Sequence, residues 1–157
     1  MSLQNYHPAK LFSPREANAA LPLVRSITQD ISRLCQTVLE RQQRLSHLVA
    51  GRDFEAGDPY GEELAQVEEE LRGNRGRLRE YQDELMALGV ELKDGVSGLL
   101  DFPSLREGRI VYLCWRLGES HVEYWHELET GFAGRQLLEP PEKDTSEDPQ
   151  PLISSSK

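Results

Sequence analysis

The chain has 157 residues, 38% of them hydrophobic, and this length is sufficient to bury an apolar core without disulfides. Its formal net charge of −9 opposes long-range attraction to nucleic acid, so we expect no nucleic-acid partner. The two cysteines do not make a disulfide framework, and no apolar run approaches the ~20 residues of a membrane helix. These features predict a cytoplasmic protein that does not enter membranes. No phosphate loop, dinucleotide fingerprint or zinc pattern is present, and no cofactor is predicted.

A helix start is marked early in the chain by Ser13, Pro14 and Glu16. Serine is a preferred N-cap, proline suits the first helical position, and a glutamate three residues after the cap completes a capping box. Pro22 then removes one helical hydrogen bond and crowds the preceding turn. The sequence therefore predicts a short helix over residues 14–20, with a kink or restart at Pro22 and the residue before it.

Two heptad seams follow, in which mainly apolar residues recur at alternating spacings of three and four. They predict two helices of a long, coiled-coil-like antiparallel hairpin, folded at a Gly-, Asp- and Pro-rich turn over residues 50–61. Each seam has one polar interruption, Arg41 or Asn74, and we expect these two side chains to share a layer. The seam of the first helix is Val24, Ile27, Ile31, Leu34, Val38, Arg41, Leu45 and Leu48. The seam of the second helix is Leu64, Val67, Leu71, Asn74, Leu78, Tyr81, Leu85 and Leu88.

β-Branched and aromatic runs after the second seam predict a small antiparallel β-meander of three to four strands. The last two runs should pair with Arg116 opposite Val122. Pro103 lacks a backbone donor, so we expect pairing to stop near Phe102. The four runs cover residues 90–93, 99–102, 110–117 and 121–128.

The expected register places apolar side chains on both faces of the sheet. Because the helical hairpin is the one obvious cover, one face should remain open and be closed by a second copy in a homodimer. The helix over residues 14–20 is the alternative lid. The face expected to remain open carries Leu113, Trp115, Leu117 and Trp125.

These elements predict one α+β domain over residues 1–138, in which a long antiparallel helical hairpin packs with the β-meander. Residues 12–88 supply the N-terminal helix and the hairpin, and residues 89–138 supply the sheet. The remaining stretch, 139–157, is rich in proline, acidic residues and serine and nearly empty of aromatic residues. Such a composition offers little to bury, so we expect this tail to be disordered.

An arginine- and tryptophan-rich set around the sheet is the predicted ligand site. Guanidinium groups beside aromatic planes can clamp a carboxylate or phosphate, although the same arginines can instead pair with carboxylates of the fold. The first hypothesis is a binding or assembly module that meets a protein partner or a small anion there. The set comprises Arg106, Arg109, Trp115, Arg116, Trp125, His126 and Arg135.

The alternative hypothesis is a small enzyme, with or without a metal, in which His126 works as acid or base with Asp101 or Glu127. Glu123 and His126 have a Glu-x-x-His spacing that ligates metals from a helix. On a strand, residues three apart point to opposite faces, so Glu123, His126 and Glu127 do not predict a metal site. Cys114 lies mid-strand with no base placed beside it by the sequence, and we interpret it as a buried, inert thiol.

Three stretches, taken in order, are similar to one family, the prokaryotic domain of unknown function 2203 family. They are FSPREANAALPLVR, LGVELKDGVSGLLDFPSLREGRIVYLCWRLGE and YWHELETGFAGRQ. The resemblance spans nearly all of residues 12–137 and implies no activity, so it assigns no catalytic residue. It implies matches to the family's motif positions at Asp101, Phe102, Pro103, Arg106, Trp115, Arg116, Trp125, His126, Gly131, Gly134 and Arg135.

Overall fold

A computed structural model of the chain describes residues 6–50 and 59–139. Two long helices are followed by a five-stranded antiparallel sheet, whose strands lie side by side in sequence order. The fold class is therefore α+β, as predicted, with five strands where three to four were expected. The elements are α1 (Pro14–Val49), α2 (Pro59–Ala87), β1 (Glu91–Asp94), β2 (Leu99–Arg106), β3 (Arg109–Arg116), β4 (Tyr124–His126), a 3-10 turn (Phe132–Gly134) and β5 (Gln136–Leu137).

Helix α1 begins with the predicted capping box. The Ser13 Oγ accepts a hydrogen bond from the Glu16 N–H at 3.0 Å, and the Ser13 N–H donates to Glu16 Oε1 at 3.1 Å. The predicted short helix over residues 14–20 with a restart at Pro22 is wrong, because α1 continues through Pro22 to Val49. Pro22 lies on the exposed side of the helix, whereas Leu21 and Val24 are buried. Burying those two side chains contributes about 1.5–3 kcal/mol each, which offsets the ~3 kcal/mol cost of a proline in a helix interior.

The helical hairpin packs along the two predicted seams, since every seam residue is buried or half-buried. No hydrogen bond joins Arg41 to Asn74 in the described part of the chain, and their sharing of a layer stays a prediction. Arg41 Nε instead lies 3.2 Å from the carboxylate of Glu70, one helical turn before Asn74, and an opposite charge is the stronger partner. The Asn74 Nδ2 is buried and has no hydrogen-bond partner among the described residues. The turn expected over residues 50–61 lies mostly outside the described residues.

Strand β2 continues past Pro103 to Arg106, so the expected end of pairing near Phe102 is also wrong. Strand β1 pairs only with the first residues of β2, and it has ended before Pro103. The Pro103 C=O accepts a hydrogen bond from the Phe12 N–H at 2.7 Å. Because the N and C=O of one strand residue point to the same side, the missing proline donor faces away from β3 and breaks no bond of the β2–β3 ladder.

The β3–β4 pairing keeps the predicted register, with Tyr112 opposite His126 and Cys114 opposite Tyr124. Strand β4 is shorter than expected, however, and the ladder stops before Val122. The side chain of Asn18 on α1 accepts from the Val122 N–H at 2.8 Å and donates to its C=O at 3.2 Å. A helix side chain therefore satisfies the backbone groups that a longer hairpin would have paired.

The inner face of the sheet, defined by Leu100, Phe102, Leu113, Trp115 and Trp125, packs against the helices. Trp115 has no exposed surface, and Trp125 is 7% exposed. The expectation that this face stays open for a second copy is therefore wrong. The cover includes the first turns of α1, the alternative lid, together with residues further along both helices. The residues that cover the inner face are Phe12, Ala17, Leu21, Val24, Ile27, Ile31 and Leu85.

The outer face of the sheet is covered by the two ends of the described chain. Tyr6 packs edge-on against Tyr112 with ring centroids 6.0 Å apart, and its hydroxyl is bonded to Glu91. On the other side, the Arg135 guanidinium lies 3.9 Å from the Tyr124 ring centroid. The same chain thus covers both faces of its sheet. None of the described helices has the length and apolarity needed to cross a membrane.

Glycines on the open side of α2 allow a test of helix stability. A methyl group at Gly73 or Gly76 would meet no atom within 4 Å, so Gly73→Ala and Gly76→Ala should each raise the free energy of unfolding by about 0.5–1 kcal/mol. Gly98 is the contrasting control, because its φ is +71° and a methyl group there would lie 2.6 Å from Leu117 Cβ. Gly98→Ala should lower the free energy of unfolding. Urea denaturation checks all three values, and a stabilising Gly98→Ala would contradict the analysis.

Candidate functional site

Three polar side chains from adjacent strands meet on the outer face of the sheet. Asp101 of β2 lies directly opposite Cys114 of β3, and His126 of β4 reaches toward both of them. Their ligand atoms, a carboxylate oxygen, the sulfur and a ring nitrogen, all lie within 4.8 Å of one another. All three residues are at most 3% exposed. We refer to Asp101, Cys114 and His126 as the polar cluster.

Both ring nitrogens of His126 are bonded to oxygen atoms. Nε2 lies 2.9 Å from Asp101 Oδ1, and Nδ1 lies 2.6 Å from the backbone C=O of Glu127. A carbonyl can only accept, so Nδ1 donates. Burial lowers the pKa of His126, but the bonds with Asp101, Cys114 and the Glu127 carbonyl outweigh it and raise the pKa to about 10. His126 is therefore a cation at neutral pH and forms a buried ion pair with Asp101.

Arg135 closes the outer face beside the cluster. Its guanidinium lies between the rings of Tyr124 and Phe132, and it bonds the Glu119 carboxylate at 2.9 Å. Burial lowers the pKa of Arg135, but the contacts with Glu119 and with the sulfur of Cys114 raise it by more. The pKa of Arg135 therefore lies above its ordinary value. The Cys114 sulfur thus has cationic side chains from both β4 and the C-terminal segment as neighbours.

The backbone conformation of residues 130–135, which places Arg135 beside the polar cluster, depends on two glycines. Gly131 has a φ of +62°, a conformation that favours glycine. At Gly134, a methyl group would lie 2.5 Å from Thr130 Cβ, so the close approach of the backbone to Thr130 requires glycine there. The short 3-10 turn between them places Phe132 against Arg135.

The seven residues predicted to bind a ligand do not gather at one place. Trp115 and Trp125 are buried in the inner face, with Arg106 stacked over Trp125 at 4.5 Å. Arg109 bonds the Glu127 carboxylate at 2.5 Å, and Arg116 is exposed at the end of β3. Of the seven, His126 belongs to the polar cluster and Arg135 lies beside it.

The alternative hypothesis paired His126 with either Asp101 or Glu127, and the structure forms the pair with Asp101. His126 contacts Asp101, whereas the Glu127 side chain turns to Arg109 and offers His126 only its backbone carbonyl. Glu123 is exposed, so the Glu-x-x-His set does not assemble.

The residue that sequence reasoning missed is Cys114. The signal was present, because the predicted β3–β4 register already placed Cys114 beside Tyr124 and His126. Bringing Asp101 to the same place requires the register of β2 against β3, which the sequence analysis did not predict.

The ion pair generates a prediction about stability. His126→Gln leaves the Asp101 carboxylate buried without a cation and should lower the free energy of unfolding by roughly 3–5 kcal/mol. Adding Asp101→Asn should cost less than the sum of the single changes, because the two groups interact. The pKa of His126 is raised on folding, so the penalty should be full below pH ~6.5 and shrink as the pH rises through about 10.

Urea denaturation of the single and double variants measures these differences. His121→Gln is the matched control, because His121 is exposed and, within residues 6–50 and 59–139, bonds only its neighbour Ser120. Its effect should stay within about 0.5 kcal/mol. Additive single changes, or a His126→Gln penalty no larger than that of His121→Gln, would contradict the buried ion pair.

Comparison with known proteins gives one match. A family model described as "Uncharacterized conserved protein (DUF2203)" matches residues 10–138. No curated protein and no solved structure matches the chain.

Proposed function

Since the chain belongs to DUF2203, a family of uncharacterised conserved proteins, we propose from its geometry that it is an assembly module whose partner is a second copy of itself. The interacting element is the far end of the helical hairpin. The observation that carries the proposal is that this end extends past the sheet with a small core of its own. We call residues 36–50 of α1 and 59–75 of α2 the helical arm.

The arm is structurally separate from the rest of the core. The main core uses α1 as far as Ile31 and Cys35, and α2 from Leu78 onward. Beyond these points, a second cluster of Val38, Leu48, Val67 and Leu71 holds the two helices to each other. The arm is thus a pair of helices with a narrow shared seam, and its sides remain available to another protein surface.

One side of the arm carries a groove of about 320 Å³. Leu45 and Leu71 line it together with Glu68, Arg72 and Arg75, so apolar and charged groups of both signs meet there. Leu39, on the same arm, is 45% exposed and supplies an apolar side chain for such a groove on a second copy.

Size and shape also favour two arms packed side by side. Arg41 and Arg44 are already paired with Glu70 and Glu63 of the same chain, so the apolar side chains carry the association. A twofold dimer would place Leu39 of each copy against the groove of the other. The α2 portion is about 25 Å long at 1.5 Å per residue, enough for an interface of roughly 1,000 Å² in total.

The other hypotheses receive less support. The polar cluster is almost fully buried, and both nitrogens of His126 are engaged, which leaves an acid–base enzyme without an accessible base. Arg109 and Arg135 are paired with glutamates, which disfavours a small-anion site built on them. We also infer a cytoplasmic location, because both cysteines of the chain are free thiols.

Sedimentation equilibrium of the full chain tests the proposal. The wild type should be a dimer at micromolar concentration, and Leu39→Glu should shift it to a monomer by placing a charge in the interface. Leu137→Glu is the matched control, because Leu137 is 66% exposed but lies on β5, away from the arm. A wild type that stays monomeric at all concentrations, or a dimer disrupted by Leu137→Glu and not by Leu39→Glu, would overturn the proposal.

A further inference from the structure

We propose that the polar cluster, Asp101, Cys114 and His126, is a binding site for one divalent transition-metal ion of the zinc class. The proposal goes beyond the assembly function and is independent of it, since the cluster lies on the sheet and the arm does not include it. A carboxylate, a thiolate and an imidazole are the three kinds of side chain that bind zinc in proteins. A mixed oxygen, sulfur and nitrogen set favours zinc or cobalt over magnesium and calcium, which prefer oxygen ligands alone.

The spacing of the cluster fits one ion. Bonds of about 2.0–2.3 Å from a tetrahedral zinc ion place its ligand atoms roughly 3.3–3.8 Å apart. In the cluster, Nε2 of His126 and Oδ1 of Asp101 are 2.9 Å apart, and all three ligand atoms lie within 4.8 Å of one another. Each side chain sits on a strand of the same sheet, so the paired backbone holds all three groups around one position.

The imidazole of His126 is already oriented as a metal ligand. Its Nδ1 donates to the Glu127 carbonyl at 2.6 Å, which fixes the ring and aims Nε2 at the cluster. Histidine ligands usually hold their second ring nitrogen in this way, with an N–H bonded to a carbonyl or a carboxylate. The bond to Glu127 is made by the backbone, so it survives any change of the Glu127 side chain.

The charges balance when the ion enters. Binding replaces the Nε2 proton of His126, which otherwise joins the ring to Asp101, and the thiol proton of Cys114. The two protons go to solvent, and the two negative ligands, carboxylate and thiolate, neutralise the two charges of the ion. Three protein ligands leave one coordination position for water or a small anion.

Stability alone does not account for the cluster. A buried ion pair is generally no more stabilising than apolar side chains of similar volume, because its charges lose their hydration. Asp101, Cys114 and His126 nevertheless occupy neighbouring positions on three strands, surrounded by buried residues. A ligand that needs all three groups explains why an acid, a thiol and an imidazole stand together at this depth.

Cobalt titration of the full chain tests the site, because a thiolate bound to Co²⁺ gives a charge-transfer absorption band. The chain has two cysteines, so Cys35→Ser leaves Cys114 as its one thiol. We expect Cys35→Ser and the wild type to show the band with one Co²⁺ per chain, and Zn²⁺ to displace it. Because the site is closed, Co²⁺ is added both to the folded chain and during refolding.

Cys114→Ser should abolish the band and weaken Zn²⁺ binding more than about 100-fold. Loss of a residue that only hydrogen-bonds to a metal ligand already lowers metal affinity roughly 10–100-fold, and loss of the ligand itself should cost more. Circular dichroism establishes that this variant is folded. If it does not fold, the band in Cys35→Ser alone decides the question. No band in Cys35→Ser under either condition, or binding by folded Cys114→Ser as tight as by the wild type, would overturn the metal site.

Discussion

The packing of α1 across the sheet is the interaction on which the rest of the molecule depends. The first half of this helix buries the inner face, and polar bonds join the helix and the residue Phe12 before it to β2 and to the loops between strands. These bonds run from Phe12 N–H to Pro103 C=O, from Asn18 to both backbone groups of Val122, from Arg25 to Ser120 C=O and from Ser32 to Val96 C=O. Because one helix both covers the sheet and bonds to its loops, Trp115 and Trp125 are shielded within a single chain.

This arrangement divides the molecule into parts with different chemistry. The inner face supplies the apolar core, and the outer face is free to hold polar groups, which Arg135 and Tyr6 shield from water. The helices are longer than the sheet they cover, so their far ends form an arm with a separate small core. A metal on the outer face would join three strands to one another, whereas a second copy at the arm would leave the sheet unchanged.

The features that were predicted correctly are encoded by residues close together in sequence. The capping box at Ser13, the two helical seams and the β3–β4 register each follow from short-range spacing. The two proline predictions failed because they considered the local sequence and not the tertiary environment. Pro22 lies on the exposed side of a well-packed helix. The nitrogen of Pro103, which has no hydrogen to donate, faces away from β3. The alternative hypothesis paired His126 with Asp101 but missed Cys114, because bringing all three side chains together requires the registers of two strand pairs at once, which no single stretch of sequence specifies.

Native-state hydrogen exchange of the full chain, at a concentration where it is monomeric, tests this account most directly. The account predicts that α1 amides over residues 17–31 exchange with the same opening free energy as those of β3, because helix and sheet unfold as one cooperative unit. Amides of the arm should exchange at a lower free energy. Exchange of residues 17–31 well before β3 would show that the sheet persists without the helix, and would contradict the central role of α1.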